Sequence, residues 1–432
     1  MKYFFLIIFL SCSCLVAKNI DPKDVLDLYK KNKLETNEEE SLTQYSNKVY
    51  KNHDLTKGLH RPIIKKLENE GGITAWFMKA TPGSNVFIHA EKKRSWKMRE
   101  IGNSGLFFCA EEFPPMSSVH FRYTVNNYRY PMKSAHRFGF ENYTLGEMSL
   151  KQNGVPVGKL VDMGVYESGD KYYKNSKRNW WVYVPQQYKK SKEAKLMVFN
   201  DGDRYIKGDG NACLVLDNLI HHKKVPVTIA VFINPGKVHY ADSKKPPYSN
   251  RSNKYDTCTP KFADFFEEEI LSQLYAKYSI SKNAEDHVIC GASSGGSGAF
   301  TAAWFRNDLF NRVISFIGSY CDFRSINDFP FSKGYKSEYG PYKVAHDYPS
   351  MIRKMVPPKK IRVYLQDGEN DLDNVLGNWF LNNLRMENAL AFAGYPYKAV
   401  WGKGMHSRKH SIALYPEAFE WIWKDDNWPA KK

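Results

Sequence analysis

The sequence predicts an α/β fold with a mainly parallel, doubly wound sheet, preceded by a small antiparallel β-sandwich. Three observations predict it. From residue 170 onward, short apolar runs alternate with longer amphipathic segments, as expected when helices cover both faces of a parallel sheet. Residues 71–146 contain only short strand-like runs, separated by Pro, Gly, Asn and Ser. The 432-residue chain is also longer than one hydrophobic core usually supports.

The first residues predict a targeting signal. One lysine precedes an apolar run over residues 3–10, which is too short for a membrane span and typical of a secretory signal. We therefore expect a signal peptide over residues 1–17 and an exported protein, located in the periplasm, at the cell surface or outside the cell. Cleavage near Ala17 and lipid attachment at Cys12 or Cys14, which would tether the protein to a membrane, both stay open.

The segment that follows predicts an extension, a sandwich and a linker. Residues 18–70 are polar and charged, with helical patterns at 22–34 and 61–72. Residues 71–146 are expected to form the sandwich, and residues 147–169, with NGVPVG and ESGD, a linker. The strand-like runs of the sandwich are at 73–80, 85–90, 105–113 and 118–127.

Residues 170–432 are expected to form the α/β domain. Strands are predicted at 179–185, 195–200, 227–233, 287–291, 313–319, 361–366 and 397–402. Helices are predicted at 210–222, 261–278, 296–305, 377–394 and 413–423. Sheets of this kind place their sites at the carboxyl ends of the strands, so functional residues are expected in the loops that follow the strands.

A glycine- and serine-rich stretch ends the predicted strand 287–291. It reads GASSG over residues 291–295, a GxSxG pattern between a strand and a helix. This context is typical of a nucleophile elbow, where a strained turn projects the central hydroxyl above the sheet and only small neighbours fit. A plain strand-to-helix turn would also explain the motif by itself. The carboxylates and histidines in the loops after two later strands favour Ser293 as the nucleophile.

A serine hydroxyl is a poor nucleophile until an imidazole, held by a carboxylate, removes its proton. The expected chain order is Ser, acid, His. The loop after strand 361–366 carries several carboxylates. We favour Asp371 over Asp373, with Asp367 third, because Asp371 lies far enough past the strand to reach the elbow.

The loop after strand 397–402 carries two histidines. His406 follows a glycine-rich GKG stretch that can bring an imidazole close to Ser293. His410 lies nearer the last helix and is expected to be a surface or supporting residue. The sequence therefore favours His406 as the general base.

An oxyanion hole requires a second backbone donor from the loop after an earlier strand. Strand 195–200 is followed by Asn-Asp-Gly-Asp, which a simple Asp-Gly turn would also explain. If the protein is a hydrolase, we expect the backbone amides of Asp203 and Ser294 to bind the oxyanion.

The charge pattern and the cysteine spacing argue against a nucleic-acid-binding protein and against a metal site. The formal net charge is +17 at pH 7, but the lysines occur in scattered pairs, which favours a solvated surface and no nucleic-acid partner. Five cysteines follow the leader without metal-ligand spacing, so we expect no metal and no cofactor. One disulfide could form after export. Cys290 and Cys321 lie in apolar contexts and are expected to be buried free thiols.

Residues 159–423 resemble the esterase branch of the α/β-hydrolases, which includes enterochelin, feruloyl and acetylxylan esterases, esterase D and mycolyltransferase antigens. The resemblance rests on WVYVPQQY, LMVFNDGDRY, VLDNLI, VFINPG, RSNKYD, GASSGG, LQDGENDLDN with GNW, and GMHS. It implies an α/β-hydrolase fold. The residue roles that it implies are Ser293, Asp371 and His406 as the catalytic triad, and Asp203 and Ser294 as oxyanion donors.

The same resemblance implies that Arg251, Tyr255 and Trp379 line a substrate cleft, although a structural pairing of Arg251 with Asp256 is equally compatible. The β-region resembles the immunoglobulin-like domain that precedes some of these enzymes. Ala292 departs from the His or Leu common after the first glycine of the elbow, which bears on substrate preference.

We therefore expect an exported serine esterase that acts on feruloyl or acetyl esters of carbohydrates. A catecholate siderophore ester of the enterochelin type is the alternative substrate. An acyltransferase and a non-catalytic glycan-binding protein are the further alternatives. The sequence does not determine the oligomeric state.

Overall fold

The computed structural model describes residues 20–57, 62–68, 71–90, 94–130, 136–240, 244–323 and 344–424. The chain divides into two compact units, Met1–Asn142 and Tyr143–Lys432. The signal predicted over residues 1–17 lies outside the described residues. Within the described ranges, no helix has the length and apolar character needed to cross a membrane.

The first unit contains two antiparallel sheets. Its strands are β1 (Ile63–Lys66), β2 (Gly72–Lys79), β3 (Val86–Ala90), β4 (Arg94–Lys97), β5 (Arg99–Glu100), β6 (Leu106–Phe113), β7 (Ser118–Val125), β8 (Tyr128–Tyr130) and β9 (His136–Gly139). One sheet has the order β1-β2-β6-β5, and the other β4-β3-β7-β8 with β9 paired to β7. Trp76 of the first sheet packs edge-on against Phe121 of the second. The predicted antiparallel β-domain is confirmed.

The described residues of the predicted extension, 20–57 and 62–68, belong to this unit and pack on its sheet instead of extending from it. Helix α1 (Pro22–Lys30) begins at a capping box formed by Asp21, and α2 (Thr36–Val49) follows it. Their apolar sides share a buried cluster with strands β2 and β6, so helices cover the face of the sheet that the second sheet leaves open. The helical pattern predicted at 61–72 instead forms β1, because this segment pairs antiparallel with β2.

The second unit is built on a ten-stranded sheet. Its strands, with the short hairpin of β19 and β20, are β10 (Lys159–Glu167), β11 (Ser176–Val184), β12 (Lys195–Asn200), β13 (Thr228–Ile233), β14 (Lys237–Val238), β15 (Tyr248–Ser249), β16 (His287–Ala292), β17 (Arg312–Phe316), β18 (Arg362–Asn370), β19 (Asp373–Asn374), β20 (Gly377–Asn378) and β21 (Tyr397–Met405). The order is β15-β14-β11-β13-β12-β16-β17-β18-β21, with β10 paired to β11. The strands from β13 to β21 in this order are mutually parallel.

Helices cover both faces of this sheet. They are α3 (Asp170–Tyr173), α4 (Ala212–His221), α5 (Arg251–Tyr255), α6 (Lys261–Phe265), α7 (Ser272–Lys277), α8 (Ser294–Phe305), α9 (Tyr348–Lys354), α10 (Trp379–Phe392) and α11 (Lys409–Ile422), with a π-helical segment, Phe266–Leu271, between α6 and α7. The buried residues of α4 and α11 form one core, while those of α6, α8, α9 and α10 form the other. The predicted doubly wound α/β fold is confirmed.

The segment predicted as a linker, residues 147–169, instead belongs to the second unit. Strand β10 lies within it and pairs antiparallel with β11, and Asn218 of α4 donates hydrogen bonds to the carbonyls of Met148 and Leu150. The residues of β10 are exposed or half-buried. An edge strand of this kind lacks the buried apolar side that sequence patterns detect.

Candidate active site

The turn between β16 and α8 holds Ser293 in a strained conformation. Its φ is +60° and its ψ is −131°, a region that side-chain-bearing residues rarely adopt. A Cβ atom on Gly291 would lie 2.1 Å from the carbonyl oxygen of Gly295, and one on Gly296 would lie 2.8 Å from Ser315 Oγ. The glycines are therefore required by sterics, as expected for a nucleophile elbow.

The imidazole of His406 joins the side chains of Ser293 and Asp371. His406 Nε2 lies 2.8 Å from Ser293 Oγ, and His406 Nδ1 lies 2.6 Å from Asp371 Oδ1. Because ionised Asp371 can only accept, Nδ1 carries the proton and Nε2 accepts from the serine. All three residues predicted from the sequence meet in this arrangement.

These three residues meet because β16, β18 and β21 end at the same edge of the sheet. Asp371 follows β18 in a tight turn, in which its N–H donates to the Gly368 carbonyl. His406 directly follows β21. Asp373, the alternative acid, is exposed at the start of the β19–β20 hairpin.

Asp367, the third candidate acid, lies behind Asp371 and is fully buried. It accepts hydrogen bonds from the Gly368 N–H and from Asn383 Nδ2, both at 2.7 Å. Burial, together with the neighbouring Asp371, raises the pKa of Asp367 well above its ordinary value. Burial is the largest single effect on Asp371 and would raise its pKa, but the hydrogen bond and charge interaction with His406, together with the hydrogen bonds to Asp367 and the Leu372 N–H, outweigh burial and lower its pKa. Asp367 is therefore the neutral acid of the pair and Asp371 the anion.

Ser319 lies beside the nucleophile and was not identified from the sequence. Its Oγ is 3.2 Å from Ser293 Oγ. Trp379, predicted to line a cleft, is instead 3% exposed and donates from Nε1 to Ser319 Oγ at 3.0 Å. Its ring meets His406 edge-on, with the centroids 5.9 Å apart. Trp379, the first residue of helix α10, is therefore a buried residue that contacts Ser319 and His406 and helps to hold them in place.

Arg251 and Tyr255 were also predicted to line a cleft. Arg251 donates from Nε and Nη2 to the two carboxylate oxygens of Asp201, at 2.8 and 2.6 Å. The ion-pair partner of Arg251 is therefore Asp201 and not Asp256. Tyr255 is fully buried, and its hydroxyl accepts from the Asp201 N–H at 3.3 Å. Both residues fix the loop after β12, so the cleft-lining prediction is wrong for Tyr255.

The loop after β12 approaches the elbow. Asn200 Nδ2 donates to the Gly295 carbonyl at 2.9 Å. The amide of Asp203, predicted as an oxyanion donor, is engaged with Asn234 Oδ1 at 3.1 Å. Within the described ranges, the backbone N–H groups of Gly202 and Ser294 donate no hydrogen bond. The Ser294 amide begins helix α8, where backbone N–H groups attract negative charge.

The remaining candidate groups have structural positions. His410 is buried, hydrogen-bonded to Gln366 and stacked on Tyr143, and burial lowers its pKa. All five cysteines after the leader are free thiols, and Cys290 and Cys321 are buried. Among the residues with described positions, no three His, Cys, Asp or Glu side chains converge as metal ligands.

This geometry permits nucleophilic catalysis. Ser293 is in hydrogen-bond contact with a base, the base is held by a buried carboxylate, and a helix N-terminus begins directly after the serine. An arrangement of this type activates a serine for attack on an acyl carbon and can stabilise the oxyanion that results.

Several solved structures are similar to this chain in fold. The crystal structure of enterobactin esterase from Shigella flexneri in the presence of 2,3-dihydroxy-N-benzoyl-glycine has a TM-score of 0.52 at 14% identity, covering 84% of this chain and 96% of that chain. The same enzyme in the presence of enterobactin gives a TM-score of 0.51 at 14% identity with the same coverage. A ferulic acid esterase from Anaeromyces mucronatus, in complex with ferulic acid, gives 0.46 at 17% identity, covering 65% of this chain and 98% of that chain.

At these identities the structural likeness shows the fold alone. No curated protein matches the chain significantly. The family model described as "Putative esterase" matches residues 173–422, more than half of the chain and most of the second unit. The chain therefore belongs to this esterase family.

Proposed function

We propose that this esterase hydrolyses carboxylic esters through a serine nucleophile. The observation that carries the proposal is the continuous hydrogen bonding from Ser293 Oγ through His406 to Asp371. Ser293 Oγ forms a bond to the ester carbonyl carbon while its proton passes to His406 Nε2. Asp371 accepts from Nδ1 and balances the charge of the imidazolium.

The first tetrahedral intermediate then collapses. Its carbon–oxygen bond to the alcohol breaks, and His406 returns the proton to the departing alcohol, which leaves an acyl-enzyme on Ser293. Water attacks the acyl carbon while His406 Nε2 takes one of its protons. The bond between this carbon and Ser293 Oγ then breaks, His406 returns the proton to Oγ, and the acid is released. The amide of Ser294 stabilises the oxyanion, and the free amide of Gly202 is the second donor in place of Asp203, whose amide is engaged with Asn234.

For the substrate, we propose acyl esters of carbohydrates, with feruloyl or acetyl groups, on the basis of the sequence resemblance and the leading β-domain. A catecholate siderophore ester is the second candidate. Two observations favour it: the formal charge of +17 suits an anionic substrate, and the fold of an enterobactin esterase corresponds to both units of this chain, over 84% of its length.

We also propose that the enzyme is exported. The lysine and apolar run at the start of the sequence support this. Mass spectrometry of the protein recovered from its natural host would test it. A mature protein beginning near residue 18 indicates simple cleavage, a diacylglycerol on Cys12 or Cys14 indicates a lipoprotein, and an intact leader contradicts export.

Purified protein tests the activity directly. We expect hydrolysis of p-nitrophenyl acetate and loss of at least about 10³-fold in the rate for Ser293→Ala and for His406→Ala. Matched panels of feruloylated and acetylated glycans and of a catecholate siderophore triester would then identify the substrate. Product analysis with added sugar separates hydrolysis from acyl transfer. Glycan binding without turnover of any ester would contradict the proposal and favour a binding protein.

A further inference from the structure

The side chain of Ser319 contacts the nucleophile directly. Ser319 lies in the loop after β17, it is 1% exposed, and its Oγ is 3.2 Å from Ser293 Oγ. Its backbone N–H donates to the Ser293 carbonyl at 3.1 Å. Two separate hydrogen bonds therefore fix Ser319 against Ser293, and neither is part of the proposed Ser293, His406 and Asp371 triad.

Trp379 determines the direction of the hydrogen bond between the two hydroxyls. An indole N–H can only donate, and Trp379 Nε1 lies 3.0 Å from Ser319 Oγ, so Ser319 accepts from it. The proton of Ser293 is directed to His406 Nε2 at 2.8 Å. Within the described part of the chain, Ser293 Oγ is the acceptor that remains for the proton of Ser319.

We propose that Ser319 is a further catalytic residue, which donates a hydrogen bond to the reacting oxygen of Ser293. Trp379 is a positioning residue that orients the Ser319 hydroxyl. The donors then run in one direction, from Trp379 through Ser319 and Ser293 to His406. This inference rests on the serine mechanism under "Proposed function".

Such a bond favours the transition state for attack. As the Ser293 proton moves to His406, Oγ gains negative charge, and hydrogen bonds to charged oxygens are stronger than neutral ones. Once Oγ has become an ester oxygen, it is a poorer acceptor. An interaction that is strongest while charge develops accelerates the reaction. One lone pair of Oγ accepts from Ser319, and the other remains available for attack.

The nucleophilicity of Ser293 can be measured without knowing the natural substrate. A fluorophosphonate reacts by forming a bond from Ser293 Oγ to phosphorus while the phosphorus–fluorine bond breaks, and the serine proton passes through His406 to solvent as fluoride leaves. We expect Ser319→Ala to lower the second-order labelling rate constant by about 10- to 100-fold. For Ser319→Cys, whose thiol is a weaker donor, the labelling rate constant should lie between those of the wild type and Ser319→Ala.

A double-mutant cycle separates this role from a packing effect. Trp379→Phe removes the N–H but keeps an aromatic ring, so it should lower the labelling rate several-fold when Ser319 is present. In the Ser319→Ala background the same change should have almost no effect. Additive effects, or wild-type rates for Ser319→Ala or Ser319→Cys, would overturn the proposal.

Matched controls remove hydrogen bonds elsewhere in the same unit. Ser281→Ala removes a hydroxyl that donates to Asp286, and Trp401→Phe removes an indole N–H that donates to Glu387; both should label at the wild-type rate. If circular dichroism shows that Ser319→Ala does not fold, the labelling rates of Ser319→Cys and Trp379→Phe test the proposal instead. Failure of the wild-type protein to label at Ser293 would refute the serine mechanism and this inference together. Labelling without ester hydrolysis would refute the proposed hydrolase alone.

Discussion

Arg251 holds Asp201 through two hydrogen bonds, at 2.8 and 2.6 Å, and also donates from Nη2 to the Ala292 carbonyl at 3.3 Å. One guanidinium thereby ties the loop after β12 to the turn that carries Ser293. A planar, forked donor is suited to this bridge because it can engage both carboxylate oxygens while keeping a second contact.

Removing this bridge should lower both stability and turnover. Arg251→Met leaves Asp201 buried without its partner, which we expect to cost about 3 kcal/mol in the free energy of unfolding. The value of kcat on p-nitrophenyl acetate should fall at least about 10-fold, because the loop that carries the Gly202 amide loses its support. Urea unfolding and steady-state kinetics measure these effects.

Exposed Arg353, which lies over Phe392, provides the control: Arg353→Met should change both quantities little. If Arg251 instead contacted the substrate, Arg251→Met would raise KM for anionic esters without changing the stability. That result would contradict the structural role.

The buried carboxyl pair predicts opposite results for two isosteric substitutions. Asp371→Asn removes the charge that holds the proton on His406 Nδ1, and kcat should fall by about 10⁴-fold. Because the pKa of Asp367 is raised and that of Asp371 is lowered, Asp371 is the member of the pair that carries the charge, and Asp367→Asn should keep kcat within about 10-fold of the wild type. If the two variants had similar kcat values, the charge would not be on Asp371.

Gly291 predicts a steric test of the elbow. The methyl group of Gly291→Ala would lie 2.1 Å from the Gly295 carbonyl oxygen, so the turn must open. We expect a loss of about 2 kcal/mol in the free energy of unfolding and loss of labelling at Ser293. Gly146→Ala is the matched control, because nothing lies within 4 Å of its new methyl group. Normal labelling of Gly291→Ala would contradict this geometry of the turn.

Lys254 predicts a pH-dependent contribution to stability. It is 2% exposed, and burial, with the nearby charge of Arg178 as the second cause, lowers its pKa to about 6 from 10.5. Between these two values the unfolded chain binds a proton that the folded protein does not, so this residue makes stability rise with pH. Lys254→Met should therefore stabilise the protein by about 1 kcal/mol at pH 7.

Thermal unfolding between pH 6 and pH 9 measures this effect. The difference between Lys254→Met and the wild type should shrink as the pH rises, because the wild type then loses its penalty. Lys174→Met, at an exposed lysine, should give a difference that does not depend on pH. If the stability difference between Lys254→Met and the wild type did not change with pH, Lys254 would not contribute to the pH dependence of stability.

The sequence predicted the alternating elements of the second unit and the chain order of Ser293, Asp371 and His406. These features depend on local patterns: buried strands are continuous apolar runs, and an elbow requires small residues at fixed spacing. It did not predict β10 or β1, because a partly exposed edge strand takes its conformation from pairing with a neighbour that the local pattern does not reveal.

By itself, the sequence determined the esterase family and placed a serine, a carboxylate and a histidine in order after three strands. The tertiary structure alone decided which groups surround them: Asp201 as the partner of Arg251, Trp379 as a buried support, Asp367 as a neutral acid and Ser319 beside the nucleophile. The physical reason is that hydrogen bonds and burial depend on distances between segments far apart in the chain, and those distances are fixed only when the sheet and its helices pack.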